Sequence, residues 1–142
     1  MSDIERKILQ ALQTATIDAR NASIVSTLPI KMIGRTFEIP DDNRYLEVIH
    51  IPNNSLNSYW GNEKTYRGLF RLILHWGIDD EGAYAAMNAI GSISSFFTKD
   101  KLFEKDGISV RIYEKPDLTS VIEQPPELLY PVTIRYISFQ TS

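Results

Sequence analysis

The stretch Thr65-Tyr66-Arg67-Gly68-Leu69-Phe70-Arg71-Leu72-Ile73-Leu74-His75-Trp76 runs into Gly77-Ile78-Asp79-Asp80-Glu81-Gly82 and then into Ala83 through Phe97. Its first part alternates as a long strand does. Tyr66, Gly68, Phe70, Leu72, Leu74 and Trp76 fall on one side; Arg67, Arg71 and His75, mixed with Leu69 and Ile73, fall on the other. Gly77 breaks the strand, and Asp79, Asp80 and Glu81 stand where a helix N-terminus favours negative charge. The helix that follows sets Ala83, Met87, Ile90, Ser94 and Phe97 on one stripe, and its many alanines and glycines keep it slim enough to lie close on a sheet. A strand that turns back into a helix covering its own sheet is expected.

The remainder of the chain fits around that unit. Ser2-Asp3-Ile4-Glu5 reads as a capping box ahead of a helix with Ile4, Ile8, Ala11, Leu12 and Ala15 on one stripe, ending near Asp18–Asn21. Ile30–Ile33 and Thr36–Ile39 read as short strands or an extended crossing, and Pro40-Asp41-Asp42-Asn43 as a turn. Arg44–Ile51 is a strand closed by Pro52. A long polar loop, residues 53–64, carries Tyr59-Trp60, which either meets a partner or folds back on its own sheet. Leu102 and Phe103 mark a short strand or link, and Gly107 opens a strand over 108–114. Residues 117–127, with Pro125-Pro126, form a second long connection, and the last strand spans Leu129 to Phe139. The expected fold is α+β, one domain over residues 1–142. A mostly antiparallel sheet of about five or six strands carries an N-terminal and a central helix packed on one face.

Composition bounds the function. The 142 residues are 43% hydrophobic and 23% charged, ordinary for a globular chain, and 15 basic against 18 acidic residues give a net charge of −3. That balance does not favour a free-standing nucleic-acid binder. No cysteine is present, which excludes disulfides, thiolate zinc sites and thiol nucleophiles. There is no signal-like N-terminus and no window of membrane-spanning length, so a soluble protein is expected that stays in the compartment where it is made.

Catalytic chemistry finds little to use. His50 and His75, the two histidines, lie in separate strands with no third group at motif spacing to orient either. The turn at 76–82 offers carboxylates where a phosphate site needs amides and a lysine, and it lacks the alternating ligands of a calcium loop. No catalytic residue, metal site or cofactor is assigned. The sheet face away from the core is more informative. Arg67, Arg71, Arg111 and Arg135 share it with Tyr45, Leu69, Ile73, Tyr113, Ile137 and Phe139, a mixture suited to protein contacts. With Tyr59 and Trp60 it forms a candidate surface for copies of itself or a neighbouring protein; the alternative is a solvated face with incidental apolar residues.

From Tyr45 to Tyr136 the chain resembles the tail terminator, or tail-completion, family of long-tailed bacteriophages. The resemblance lies in the order of pieces: a polar-looped strand pair whose second member reads Tyr66-Arg67-Gly68-Leu69-Phe70-Arg71-Leu72, then an Ala/Gly-rich helix ending in Phe96-Phe97. A strand pair containing Gly107-Ile108-Ser109-Val110-Arg111-Ile112 follows, and last comes Tyr130-Pro131-Val132-Thr133-Ile134-Arg135-Tyr136. The resemblance implies a non-enzymatic virion protein of the tail, assembled in the host cytoplasm into a ring, typically a hexamer. Such a ring caps the head-proximal end of the tail tube, stops polymerisation and presents the head-joining surface. Implied partners are copies of itself, the tail tube protein and the head–tail connector, with DNA only as passing cargo and no membrane. In such a ring the arginine face would meet acidic loops, either Asp41-Asp42 or Asp79, Asp80 and Glu81. A head-completion (stopper) protein, and a small ligand-binding or enzymatic domain using a histidine, are the competing readings.

Overall fold

The computed structural model describes residues 2–53, 65–79 and 83–140. The Tyr59-Trp60 loop, Asp80 and Glu81, and the side chains of the Ser2 cap lie outside the described residues. In chain order the elements are α1 (Ser2–Asn21), β1 (Ile30–Lys31), β2 (Tyr45–Asn53), β3 (Thr65–Gly77) and α2 (Tyr84–Ser94). Then come β4 (Leu102–Lys105), β5 (Ile108–Ile112), β6 (Asp117–Leu118), β7 (Ile122–Gln124) and β8 (Glu127–Gln140).

The strands form one sheet in the order β1-β2-β3-β8-β5-β4, antiparallel except for β1 against β2. The long strand β8 has β3 along one edge. Its other edge is shared end to end by β7, β6 and β5. The sheet therefore has eight strands, more than the five or six expected, because residues 117–127 are not a plain connection. Two short runs there pair with β8, and β7 returns to β8 through a turn at Pro125-Pro126, a cis peptide. Such short runs are fixed by the neighbour they pair with rather than by their own composition.

Both helices lie on one face, as the alternation of β3 required. From the sheet the core takes Leu46, Val48, Phe70, Leu72, Leu74, Trp76, Val110, Ile112, Val132, Ile134 and Tyr136. Against it α1 buries Ile8, Ala11, Leu12, Ala15 and Ala19. Thr16, on the same buried side, is satisfied by donating its hydroxyl to the Leu12 carbonyl at 2.9 Å. The small residues Ala86 and Ala89 let α2 settle on β3 and β8, with Ile90, Ile93 and, beyond the helix, Phe97 filling the gap.

Local expectations change at several points. Helix α2 starts at Tyr84 with Ala83 at its cap and no acid in its first turn, so Asp79 does not cap it. Of its expected stripe Ile90, Ser94 and Phe97 are buried, with Ala86, Ala89 and Ile93 beside them, but Met87 is half exposed. Of the two readings of residues 36–39, the strand does not form; they carry no regular structure. Finally, Pro52 does not close β2, which continues to Asn53. The Leu46 N–H points to the β1 side, where it donates to the Pro29 carbonyl at 2.9 Å. By the two-residue alternation the Pro52 nitrogen points the same way, past the end of β1, where a missing donor costs no ladder bond.

Candidate assembly surface

The face of the sheet away from the helices is built by register. One rung reads Ile49, Arg71, Thr133; the next Ile51, Leu69, Arg135; the next Asn53, Arg67, Ile137, Arg111. The four expected arginines are thus brought onto one face across three strands. Arg67 and Arg111 are exposed, and between their positions Ile137 is only 8% exposed, as expected where long arginine stems flank an aliphatic neighbour. Arg71 Nε donates to Thr133 Oγ1 at 3.3 Å, and Arg135 Nη1 lies 3.8 Å from Glu114 Oε2. The Arg135–Glu114 pair, at the surface, adds little stability. The face remains basic and aliphatic, with Ile51 and Leu102 substantially exposed beside it.

At the other end of the same face the sequence reading is corrected. Tyr45 is buried, covered by Phe37 at 5.1 Å between ring centroids and stacked on His75 at 4.1 Å. Residues 34–40, without regular structure, bring Phe37 there, so Tyr45 is not an open aromatic. His75 is itself buried between two carboxylates, Nε2 at 2.7 Å from Glu47 Oε1 and Nδ1 at 3.3 Å from Glu127 Oε2. Lys31 Nζ lies 3.8 Å from the other Glu47 oxygen. Burial and the two nearby carboxylates, Glu127 and then Glu47, raise the Tyr45 phenol above its ordinary range.

His50 lies on the opposite, helix-side face. Its Nε2 is 2.6 Å from the Tyr136 hydroxyl, in a hydrogen bond shared beneath α1. Burial holds the His50 imidazole below its usual value, an effect partly opposed by Glu5. Burial, and then Glu5, raises the Tyr136 phenol. The two histidines are therefore on different faces and do not form a pair. Among the described residues no group of three metal-ligating side chains gathers.

The acidic residues gather at a corner. The turn at residues 40–43 closes with Asn43 N–H donating to the Pro40 carbonyl at 3.0 Å, and Asp42 Oδ1 accepts from the Arg44 N–H at 3.1 Å. Arg44 lies over the Trp76 ring, 4.3 Å from its centroid, and Nη2 donates to Asp79 Oδ2 at 2.7 Å. Asp42 and Asp79 thus both contact Arg44 beside Gly77, with Asp41 preceding Asp42 in the same turn. The arginine rungs lie toward the other end of β3; Arg67 is ten residues from Gly77, about 33 Å of strand. Sequence reasoning missed the Glu47–His75–Glu127 cluster and the Arg44–Asp79 link, whose members are joined only by strand register and by the return of residues 40–44. Nothing in the local sequence signals either.

Comparison with known proteins adds the context that geometry alone lacks. The family profile described as "Phage tail terminator protein" matches residues 7–136. Five solved chains match this one; one of them aligns over 100% of this chain and 97% of its own, with a TM-score of 0.79 at 20% identity. At that identity the likeness establishes the fold alone. No curated protein matches significantly.

Proposed function

Because the chain belongs to the phage tail terminator family, and so to the structural proteins of the phage tail, we propose that it assembles as a ring, a hexamer by the resemblance, on the head-proximal end of the tail tube. There it stops tube polymerisation and offers the surface to which the head connector binds. It acts by shape and adhesion and performs no catalytic step. A closed ring needs two different surfaces on each subunit, one meeting the other on the next copy. The observation that carries this reading is the separation of charge along β3. The arginine face (Arg67, Arg71, Arg111, Arg135) lies toward one end, and the corner of Asp41, Asp42 and Asp79 lies at the other. Asp80 and Glu81 follow Asp79 in sequence. Tube protein and head connector dock on the remaining surfaces, with Tyr59 and Trp60 as candidate contacts. Assembly proceeds in the host cytoplasm, and DNA passes through the ring without being bound.

The test is tail length. Particles assembled without the protein should carry overlong tubes, and the wild-type chain should restore the normal length while Arg71→Glu with Arg135→Glu should not. Normal-length tails that fail to join heads would instead assign the protein to the connector side of the joint and overturn the reading.

A further inference from the structure

Strand β6 leaves backbone groups that neither the core nor the arginine face uses. It is held by β8 on one edge, and among the described residues no strand pairs with its other edge. Thr119, in step with Asp117, donates its N–H to the Pro131 carbonyl at 3.3 Å, on the β8 side. By the two-residue alternation the Leu118 N–H and C=O point the opposite way, and among the described residues no group takes them up. Leu118 is itself 45% exposed. An open edge of this kind is a template for one more strand.

The same leucine walls a groove. Between β6 and the C-terminal end of α2 lies an apolar hollow of about 570 Å³, floored by the buried Phe97 and lined by Ser94, Ser95, Pro116 and Leu118. Pairing with Val132 places Leu118 on the helix side of the sheet, so a strand added to β6 would lay alternate side chains into this groove. Among the described residues only two ionisable side chains line it, Lys99 and Lys115, both exposed and neither with an acidic partner. The neighbouring acids do not serve them. Glu114 lies 3.8 Å from Arg135, Asp117 falls by register on the arginine face opposite Thr133, and Asp100 does not line the groove.

We propose that this edge and groove bind an extended, acidic segment of another protein, added as a strand to β6. The main chain of the segment bonds to Leu118, its inward side chains fill the groove over Phe97, and its flanking carboxylates meet Lys99 and Lys115. Each observation selects one property of the occupant. The unpaired backbone groups select an extended main chain, the apolar hollow an aliphatic or aromatic side chain, and the two lysines carboxylates. Because the site lies on the helix side of the sheet, away from the arginine rungs, it stands or falls independently of the ring.

The test uses the whole chain as bait for a displayed library of random heptapeptides. Enriched sequences should carry apolar residues flanked by Asp or Glu, and the synthetic peptides should bind the chain in solution by fluorescence anisotropy. Lys99→Glu with Lys115→Glu should weaken that binding about tenfold or more. Leu118→Pro removes the outward N–H at an edge where proline is tolerated. It should weaken binding about tenfold with an unchanged thermal melt. Methylating alternate backbone nitrogens of the peptide gives a readout that depends on no variant folding. Only one of the two alternating sets faces β6, so methylating that set should cost about tenfold and methylating the other little. No enrichment, a basic or uncharged consensus, binding indifferent to the charge reversal, or equal loss from both methylated sets would overturn the proposal.

Discussion

Gly68→Ala is expected to destabilise the protein well beyond what a methyl group usually costs. A Cβ at residue 68 would lie 2.5 Å from the Tyr136 hydroxyl oxygen, 2.8 Å from its Cζ and 2.9 Å from the Ile51 carbonyl oxygen. Tyr136 is 1% exposed, so the ring has no free volume to retreat into, and the carbonyl belongs to the paired strand β2. Displacing the ring also breaks its bond to His50, leaving a hydroxyl and an imidazole nitrogen to find other partners under α1. Overpacking of this kind costs about 1–3 kcal/mol and an unmade buried hydrogen bond about 1–3 more. We therefore expect a total of about 2–6 kcal/mol, a fall in Tm of about 6–18 °C for a chain of this size. Urea unfolding followed by circular dichroism measures it. Tyr136→Phe supplies the second half of a cycle. Alone it should cost about 1–2 kcal/mol by removing the His50 bond. Combined with Gly68→Ala it removes the closest clashing atom and the bond already lost, so the double variant should be more stable than the sum of the singles predicts by at least about 1 kcal/mol. Strict additivity, or a Gly68→Ala variant that melts within about 2 °C of wild type, a loss below about 1 kcal/mol, would refute the packing argument.

Further outcomes follow from the same geometry. The His50 imidazole is held below its ordinary value of about 6.5 by burial, so below that pH the unfolded chain takes up a proton the native chain resists, and stability falls as pH drops from about 6.5 toward the lowered native value. Wild type should lose more stability than His50→Gln between about pH 7.5 and 5.5, the range bracketing an ordinary imidazole; parallel curves would count against a buried neutral His50. His75→Phe keeps the stack on Tyr45 but leaves Glu47 and Glu127, both partly exposed, without the ring nitrogens between them, and a loss of about 1–3 kcal/mol is expected from chemical denaturation; an unchanged midpoint would show that the two carboxylates do not need it. Ala89→Leu should cost about 1–3 kcal/mol, because the fully buried Ala89 holds α2 against the sheet, and a variant as stable as wild type would mean that α2 rides loosely.

Much of this architecture was legible in local pattern. The alternation from Tyr66 to Trp76 separated a core face from an arginine face, and the 3.6-residue spacing of Ile8, Leu12 and Ala15 set the buried side of α1. Because alternation has a period of two, residues far apart in the chain sort onto the same faces once their strands are found, which is why Arg67, Arg71, Arg111 and Arg135 could be grouped beforehand. The candidate surface was legible to that extent. The Tyr45 end was not, since nothing in residues 34–40 indicates that Phe37 covers it. In α2 the stripe held at Ile90, Ser94 and Phe97 and failed at Met87, because a helix rich in alanine and glycine gives little contrast between faces; contact with β3 and β8 adds Ala86, Ala89 and Ile93 to the buried side.

By itself, then, the amino-acid order determined what each segment prefers and which of its sides is apolar, along with the absence of thiol chemistry and the order of pieces shared with the tail terminator family. The tertiary structure decided which strands are neighbours. It made β6 and β7 strands at all, set His75 between Glu47 and Glu127, drew Arg44 to Asp79, and opened Gly68 for the Tyr136 hydroxyl. Local preference is an energy summed over adjacent residues, whereas pairing and register are won by contacts between segments distant in the chain. Those contacts exist only after the chain has closed on itself.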